Sequence, residues 1–333
     1  MVPAPTLEDV AREAGVSRAT ASRVVRGDAQ VAEVKVAAVQ KAVRKLGYVP
    51  HPAARALATR QSDAIGVLVP EPESRIFSDP FFASAIAGVN RALKDSQKQL
   101  LLVMSGPDGV DDRLGRFLQQ RHADGLVVMS QHEDPTLVKV LRSSAVPMVF
   151  IGRPVGINGV HHVDVDNVTG GRLATQHLID RGRRRIATIT GPADMAASQD
   201  RETGWRLALE EAGLDASRRA RGTFTLTSGA AAAGELLESW PDIDGIFVAS
   251  DLMALGAIQV LHARGLRVPD DVAVVGYDDL PLAAEGQVPL TTVTNPVGEL
   301  AMLAMEMLLA LLQGEDRPSK VVLSPELRIR SSS

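Results

Sequence analysis

From Asp63 to the end of the chain, runs of four to six nearly unbroken apolar residues recur between stretches with helical spacing. Residues 64–69, 100–104, 125–129, 148–151, 186–189, 245–249 and 272–276 are such runs. A strand that is apolar on both faces must be covered on both faces, the condition of parallel strands flanked by helices. Helical patterns over 81–94, 112–120 and 135–142 supply cover in the first half of this region. More than ten strands are expected over its length, too many for one compact sheet. The pattern predicts an α/β body of two doubly wound parallel-sheet subdomains, with ligand in the crevice at the carboxyl ends of the strands.

Composition narrows the class. Of 333 residues, 45% are hydrophobic and 23% charged, enough for a sizeable core and unlike a disordered or collagen-like chain. There is no cysteine, which removes a disulfide scaffold, a cysteine nucleophile and a thiolate zinc site, and suits a reducing cytoplasm. The first residues lack a basic segment followed by an apolar run, so no signal peptide is read there. No apolar run reaches the roughly 18 residues of a membrane span; residues 300–312 are shorter and hold Glu306. A soluble cytoplasmic protein with no membrane partner is expected.

Residues 1–60 hold ten Lys/Arg against five Asp/Glu, while the rest hold 26 against 35. The net charge of −4 thus hides a basic head on an acidic body, which suits a chain whose head alone meets a polyanion. Thr6 stands at an N-cap with Asp9 three residues on, and Leu7, Val10, Ala11 and Ala14 share one helical face. Gly15 allows a sharp turn, and Ser17 caps a second helix reaching about Val25. Val16, Ala21, Val24 and Val25 pack inward, leaving Arg18, Ala19, Thr20, Ser22 and Arg23 exposed. Two short helices about a glycine turn make a helix-turn-helix whose second helix suits the major groove. Arg23 can fork onto guanine O6 and N7, and Ser17 and Thr20 suit phosphates at the positive helix end. The same spacing also fits a small amphipathic hairpin with solvated arginines. A third helix over about 34–46, with Val36, Val39, Val43 and Leu46 inward, and a short segment 51–58 with Pro52 at a first helical position favour DNA.

Leu7-Glu8-Asp9-Val10-Ala11, Ala14-Gly15-Val16-Ser17, Thr20-Ala21-Ser22-Arg23-Val24, Leu46-Gly47-Tyr48-Val49-Pro50 and Ala54-Arg55-Ala56-Leu57 resemble the headpiece and hinge of the lac repressor (LacI/GalR) family. The resemblance implies a homodimer whose two heads read halves of a near-palindromic operator in double-stranded DNA. It implies contacts from Thr6, Leu7, Ser17, Arg18, Ala19, Thr20, Ser22, Arg23, Arg26, Tyr48, His51, Ala54, Arg55 and Leu57. Leu57 stands at the family's hinge leucine, an apolar wedge for the minor groove. A hinge of 52–58 is too short to be a stable helix alone and is expected to fold on pairing over DNA. The sequence departs from the family at Ala21, where valine is usual, at Arg26 and His51, and at Ala32, where a capping serine is usual; a missing cap costs about 1 kcal/mol.

The body resembles the same family's periplasmic-binding-protein-like effector domain. The implied division is a DNA-binding domain over 1–50, a hinge helix and linker over 51–62, and an effector-binding and dimerisation domain over 63–333. Its subdomains comprise about 63–163 with 295–323, and 164–292 with 324–330, with chain crossings near 162–165, 291–295 and 323–325. No leucine heptad follows the last strand, so a dimer is expected rather than a tetramer.

The candidate effector residues are Phe81, Phe82, Arg153, Arg201, Phe224, Ser250, Asp251 and Asp278. Phe77-Ser78-Asp79-Pro80-Phe81-Phe82 is similar to the family's Asn-Pro-Phe-Phe segment, with one phenylalanine expected in the core and the other in the cleft. Aromatic faces and forked charges suit a carbohydrate. Arg201, three before Gly204-Trp205, and Asp278, after a strand, match ligand-binding positions of the family, and Phe224 matches an aromatic one. Asp251 either lines the cleft or caps the helix from Leu252. Arg153 lies near the cleft or in a surface ion pair.

Enzyme signatures are lacking. No Gly-x-Gly-x-x-Gly follows a strand, no phosphate loop ends in Gly-Lys-Ser/Thr, and no Gly-x-Ser-x-Gly elbow is present. His162, Asp164 and Asp166 share one strand face, but without closed coordination geometry they read as structure rather than a metal site. Arg183-Arg184-Arg185 is expected to end a helix, where cations suit the dipole. No metal or cofactor is called for. The reading is a ligand-responsive repressor released by a small carbohydrate. The alternatives are a co-repressor response to a nucleobase or other metabolite, or a sugar-binding transport protein.

Overall fold

The computed structural model describes residues 5–25, 30–48, 62–105 and 112–333. The chain divides into two compact units, Met1–Ser62 and Asp63–Ser333. Arg26 and the hinge residues His51, Ala54, Arg55 and Leu57 lie outside the described residues. Among those described, no helix is long and apolar enough to cross a membrane.

Among the described residues, the first unit holds three helices, α1 (Leu7–Ala14), α2 (Arg18–Val25) and α3 (Glu33–Leu46). Thr6 and Asp9 form the reciprocal capping box, with Asp9 N–H donating to the Thr6 hydroxyl and Thr6 N–H to the Asp9 carboxylate. Gly15 takes the left-handed conformation (φ 63°) that lets Val16 N–H reach back to the Ala11 carbonyl and turns the chain into α2. Ser17 then accepts from Thr20 N–H. α3 starts at Ala32 without a side-chain cap. The three helices close over Val10, Ala11, Ala21, Val39 and Ala42.

In the second unit, β1 (Ala64–Val69), α4 (Glu73–Ser78), α5 (Pro80–Ala92), β2 (Gln99–Met104), α6 (Asp112–Gln119), β3 (Gly125–Met129), α7 (Pro135–Ser143), β4 (Met148–Ile151) and β5 (His161–Val165) open the first subdomain. The second contains α8 (Asn167–Asp180), β6 (Ile186–Thr190), α9 (Ala196–Glu211), β7 (Arg219–Arg221), α10 (Leu226–Ser239), β8 (Gly245–Val248), α11 (Asp251–Ala263), β9 (Ala273–Asp278), α12 (Pro281–Glu285) and β10 (Thr291–Thr294). The chain returns to the first through α13 (Val297–Leu312) and β11 (Lys320–Leu323), then to the second through β12 (Leu327–Arg328). The strand orders are β11-β5-β4-β3-β1-β2 and β12-β10-β9-β8-β6-β7.

Period-two alternation sends side chains to two cores per sheet. In the first, Ile65, Val67 and Val69 meet α5 and α13, while Leu68, Leu126 and Val128 meet α6 and α7. The second sheet repeats the scheme, with Ile189 and Val248 on one face and Phe247 and Val275 on the other. Three findings differ from the sequence reading. β12 pairs antiparallel with β10, because only a short link, with no helix to carry the chain back, joins it to β11. β2 is an edge strand, so Leu101 and Met104 are exposed rather than covered. The Arg183–Arg185 run does not end a helix: α8 stops at Asp180, the Arg183 guanidinium donates to the Pro269 and Asp270 carbonyls, and the Arg184 and Arg185 N–H groups donate to Asp244.

Two glycines set the position of the α9 side chains. A Cβ on Gly171 would stand 2.3 Å from the Arg201 carbonyl oxygen, and one on Gly204 would stand 2.1 Å from that of Val168. Only hydrogen at both places lets α8 and α9 touch backbone to backbone. That contact fixes Arg201 against the link after β8 and the end of β9.

Candidate ligand cleft and DNA-facing helices

The carboxyl ends of β1, β3, β4 and β5 face those of β6, β8, β9 and β10 across a cleft enclosing about 860 Å³, counting space open to solvent. Of the expected residues, Phe81, Arg153, Arg201, Phe224, Ser250 and Asp278 line it.

On the second-subdomain wall, Arg201 is buried and held from several sides. Its Nε donates to Asn167 Oδ1 at 2.9 Å and its Nη1 to the Ala249 carbonyl at 2.6 Å. The guanidinium lies 3.7 Å from the Tyr277 ring centre, with Asp278 Oδ1 at 3.6 Å. Asp278, at φ 115°, sits where non-glycine residues are strained, and Asn295 Nδ2 donates to it at 2.9 Å. Burial pushes the Asp278 carboxyl above its ordinary range, against the pull of Arg201. Phe224 also has left-handed backbone, φ 59°, which turns its ring into the cleft.

Two expected contacts are corrected. Phe82 is fully buried in the first-subdomain core and does not line the cleft; its neighbour Phe81 does, because consecutive helical residues point about 100° apart. Asp251 neither lines the cleft nor caps α11. Ser250 is the cap, while Asp251 accepts from Leu280 N–H and the Thr292 hydroxyl, tying α11 to the link after β9 and to β10 itself. Burial and then the nearby Asp278 raise its pKa well above the ordinary value. Arg153 belongs to both of its readings: it lines the cleft, and its guanidinium forms a bidentate pair with Asp200 of the opposite subdomain at 2.8 and 3.2 Å.

The first-subdomain wall contains groups the sequence reading missed. Glu71, 2% exposed, takes three donors on one oxygen: Arg75 Nη1, the Ser130 hydroxyl and His132 Nε2. Burial acts to raise its pKa, but His132, Arg75 and Ser130 together outweigh it and hold the carboxyl low. Arg75 lies 5.5 Å from the Phe82 ring centre and reaches the other subdomain, 5.3 Å from that of Phe224, with its buried Nε unpartnered among the described residues. Asp79 caps α5 through Phe81 N–H, and burial raises its pKa. Asp164, part of the metal-like histidine–aspartate run, faces the cleft instead and accepts from the Arg153, Val165 and Asn167 nitrogens; burial lifts it to about 6. No cluster of three metal-binding side chains occurs among the described residues.

In the first unit, Ser17, Arg18, Ala19 and Arg23 are exposed on or beside α2, with Thr20 and Ser22 half-buried. Arg18 pairs with Glu8 at 3.0 Å. Thr6 is exposed with its hydroxyl engaged in the cap, whereas Leu7 and Tyr48 pack against the three-helix core.

A helix-turn-helix unit joined to a body with a ligand cleft between two subdomains defines a ligand-responsive DNA-binding regulator. The chain belongs to the lacI family of bacterial regulatory proteins, whose model matches residues 6–51, while the periplasmic binding protein-like domain matches residues 175–333. It is 45% identical to the HTH-type transcriptional regulator CelR of Thermobifida fusca, over 98% of both chains. Among solved structures it is similar to a transcriptional regulator CelR–cellobiose complex, at 42% identity and TM-score 0.78 over 99% of this chain and 100% of that one. It is also similar to the lac repressor dimer bound to operator and the anti-inducer ONPF, at 28% identity and TM-score 0.86 over 99% of each. Its relatives are transcriptional regulators, not enzymes.

Proposed function

We propose that the chain is a cytoplasmic repressor that binds a near-palindromic operator as a homodimer and is released by a neutral disaccharide of the cellobiose type. The observation that carries the effector class is the charge balance of the cleft. Arg153 is committed to Asp200, and Arg75 and Arg201 face Glu71, Asp79, Asp164 and Asp278. A sugar acid or sugar phosphate would add an anion to surplus carboxylates, whereas sugar hydroxyls can donate to them and accept from the arginines. The partly exposed Phe81 ring and that of Phe224 offer faces for pyranose rings. The similarity to a regulator solved with cellobiose supports the same class.

On this reading Ser17, Arg18, Ala19, Thr20, Ser22 and Arg23 meet DNA in the first instance, with Arg23 reading bases. The test is to enrich sites from a random duplex pool with the full chain, with and without cellobiose. A two-fold symmetric site should emerge without sugar and be lost with it. Asymmetric sites, or recovery indifferent to cellobiose, would refute the proposal. On the enriched site, Arg23→Ala should weaken specific binding by about 1–3 kcal/mol and leave random-DNA binding nearly unchanged.

A further inference from the structure

One histidine joins both walls of the cleft. His132 Nδ1 lies 2.9 Å from Asp194 Oδ2 in the second subdomain, and its Nε2 lies 3.1 Å from Glu71 Oε1 in the first. Beside it, Glu133 N–H donates to the Asp194 carbonyl at 2.8 Å, so the two subdomains already meet here through backbone. The groups facing the ring are Glu71 from the link after β1, Arg75 of α4 through that same Glu71 oxygen, and Asp194 from the link before α9. Its neighbours are the exposed Glu133 and Asp134, whose carboxylate caps α7.

A neutral imidazole carries one N–H and can serve one carboxylate; an imidazolium carries two and serves both. The hydrogen bond to Glu71, against the opposing effect of burial and with the help of Asp194, raises the His132 pKa above 6.5. Glu71 in turn holds Arg75, whose guanidinium crosses the cleft to Phe224 and keeps Nε unpartnered. The chain of contacts leaves the second subdomain at Asp194 and returns to it at Phe224.

We propose that His132 is a positioning residue of the effector site: as an imidazolium it clasps Asp194 across the cleft and, through Glu71, aims Arg75 at the ligand lying on Phe224. Effector binding therefore selects this charged form of the clasp, taking up a fraction of a proton where the free imidazole is part-neutral, and effector affinity falls as pH rises. The inference takes its ligand from the proposed function, but the clasp belongs to the free protein.

Calorimetry of the full chain with cellobiose, in buffers of unlike ionisation heat, reads the proton directly. The wild type should take up a fraction of a proton per sugar, and its affinity should fall by up to about tenfold per pH unit above the histidine's own titration. His132→Gln, which keeps a polar side chain of similar reach, should bind cellobiose with no pH dependence over the same range. A flat wild-type profile, or a slope that survives in His132→Gln, overturns the proposal. Imidazole NMR of the free chain gives an arm that needs no sugar. His132 should titrate above 6.5 and shift down in Asp194→Asn. A His132 that titrates at the ordinary value, or ignores Asp194→Asn, overturns the clasp. Absence of cellobiose heat beside a normal NMR shift condemns only the sugar reading.

Discussion

The two walls of the cleft are built on opposite principles. On the second-subdomain wall, Arg201 gives Nε and Nη1 to protein acceptors, stacks on Tyr277 and sits 5% exposed. It is part of the structure before any ligand arrives. On the first-subdomain wall, Arg75 stands on the short helix α4, leans on Glu71 and leaves Nε without a partner. The contrast teaches that two arginines facing one aromatic ring can do different work. Arg201 holds the site's shape, and Arg75, held through one nitrogen on Glu71, lines the cleft where a ligand enters.

The largest effect should come from the rigid wall. Arg201→Ala removes the partner of buried Asp278 and the acceptor geometry of Asn167 and Ala249, and breaking such a buried pair costs about 3–5 kcal/mol. The thermal midpoint should drop sharply without any ligand. A variant that loses effector response yet melts like wild type would erase the difference between the walls. Arg75→Ala should be milder in stability, about 1–2 kcal/mol, because Ser130 and His132 still donate to Glu71. Its main loss should be in cellobiose binding, roughly tenfold by calorimetry.

One carboxylate from each wall, Asp278 and Glu71, should also answer acid with opposite signs, the smallest effect of the three. Burial raises Asp278, so the folded protein holds that proton more tightly than the unfolded chain. Its contribution to stability falls as pH rises from the ordinary 3.8 until the folded-state group ionises. Glu71 is held low, so its contribution is present above the ordinary 4.5 and lost as pH falls through its folded value. Thermal midpoints of Asp278→Asn and Glu71→Gln against wild type over this window should therefore show removed slopes of opposite sign, each amounting to about a few degrees. Slopes of the same sign would sink the assignment.

The same contrast decides what was legible in the sequence. Arg201 and Asp278 were located by the family resemblance, which has fixed marks in the chain to align on: the glycine that lets α9 touch α8, and the end of an apolar strand. The first wall has no such anchor. α4 is six residues long with only Ile76 buried, too short for a periodic signal, and Glu71, His132 and Asp194 come from three separate links joined only by the fold. Asp251 was misplaced, and Phe81 and Phe82 were not told apart, for a related reason. An aromatic or a carboxylate beside a cleft is equally compatible with facing it or supporting it from behind, and only packing separates the two. In the head, by contrast, capping box, glycine turn and apolar spacing lie within a few residues of one another, so α1 and α2 are legible almost residue by residue.

On the proposed function, sugar contact with the wall that carries Arg75 is what frees the operator. It is tested most directly by titrating cellobiose into the full chain bound to its fluorescently labelled enriched site, wild type beside Arg75→Lys. Lysine keeps the charge for Glu71 but not the planar fork. DNA should be released in both, with the midpoint for Arg75→Lys displaced to roughly tenfold higher cellobiose. Coincident release curves, or DNA that stays bound at saturating sugar, would contradict it.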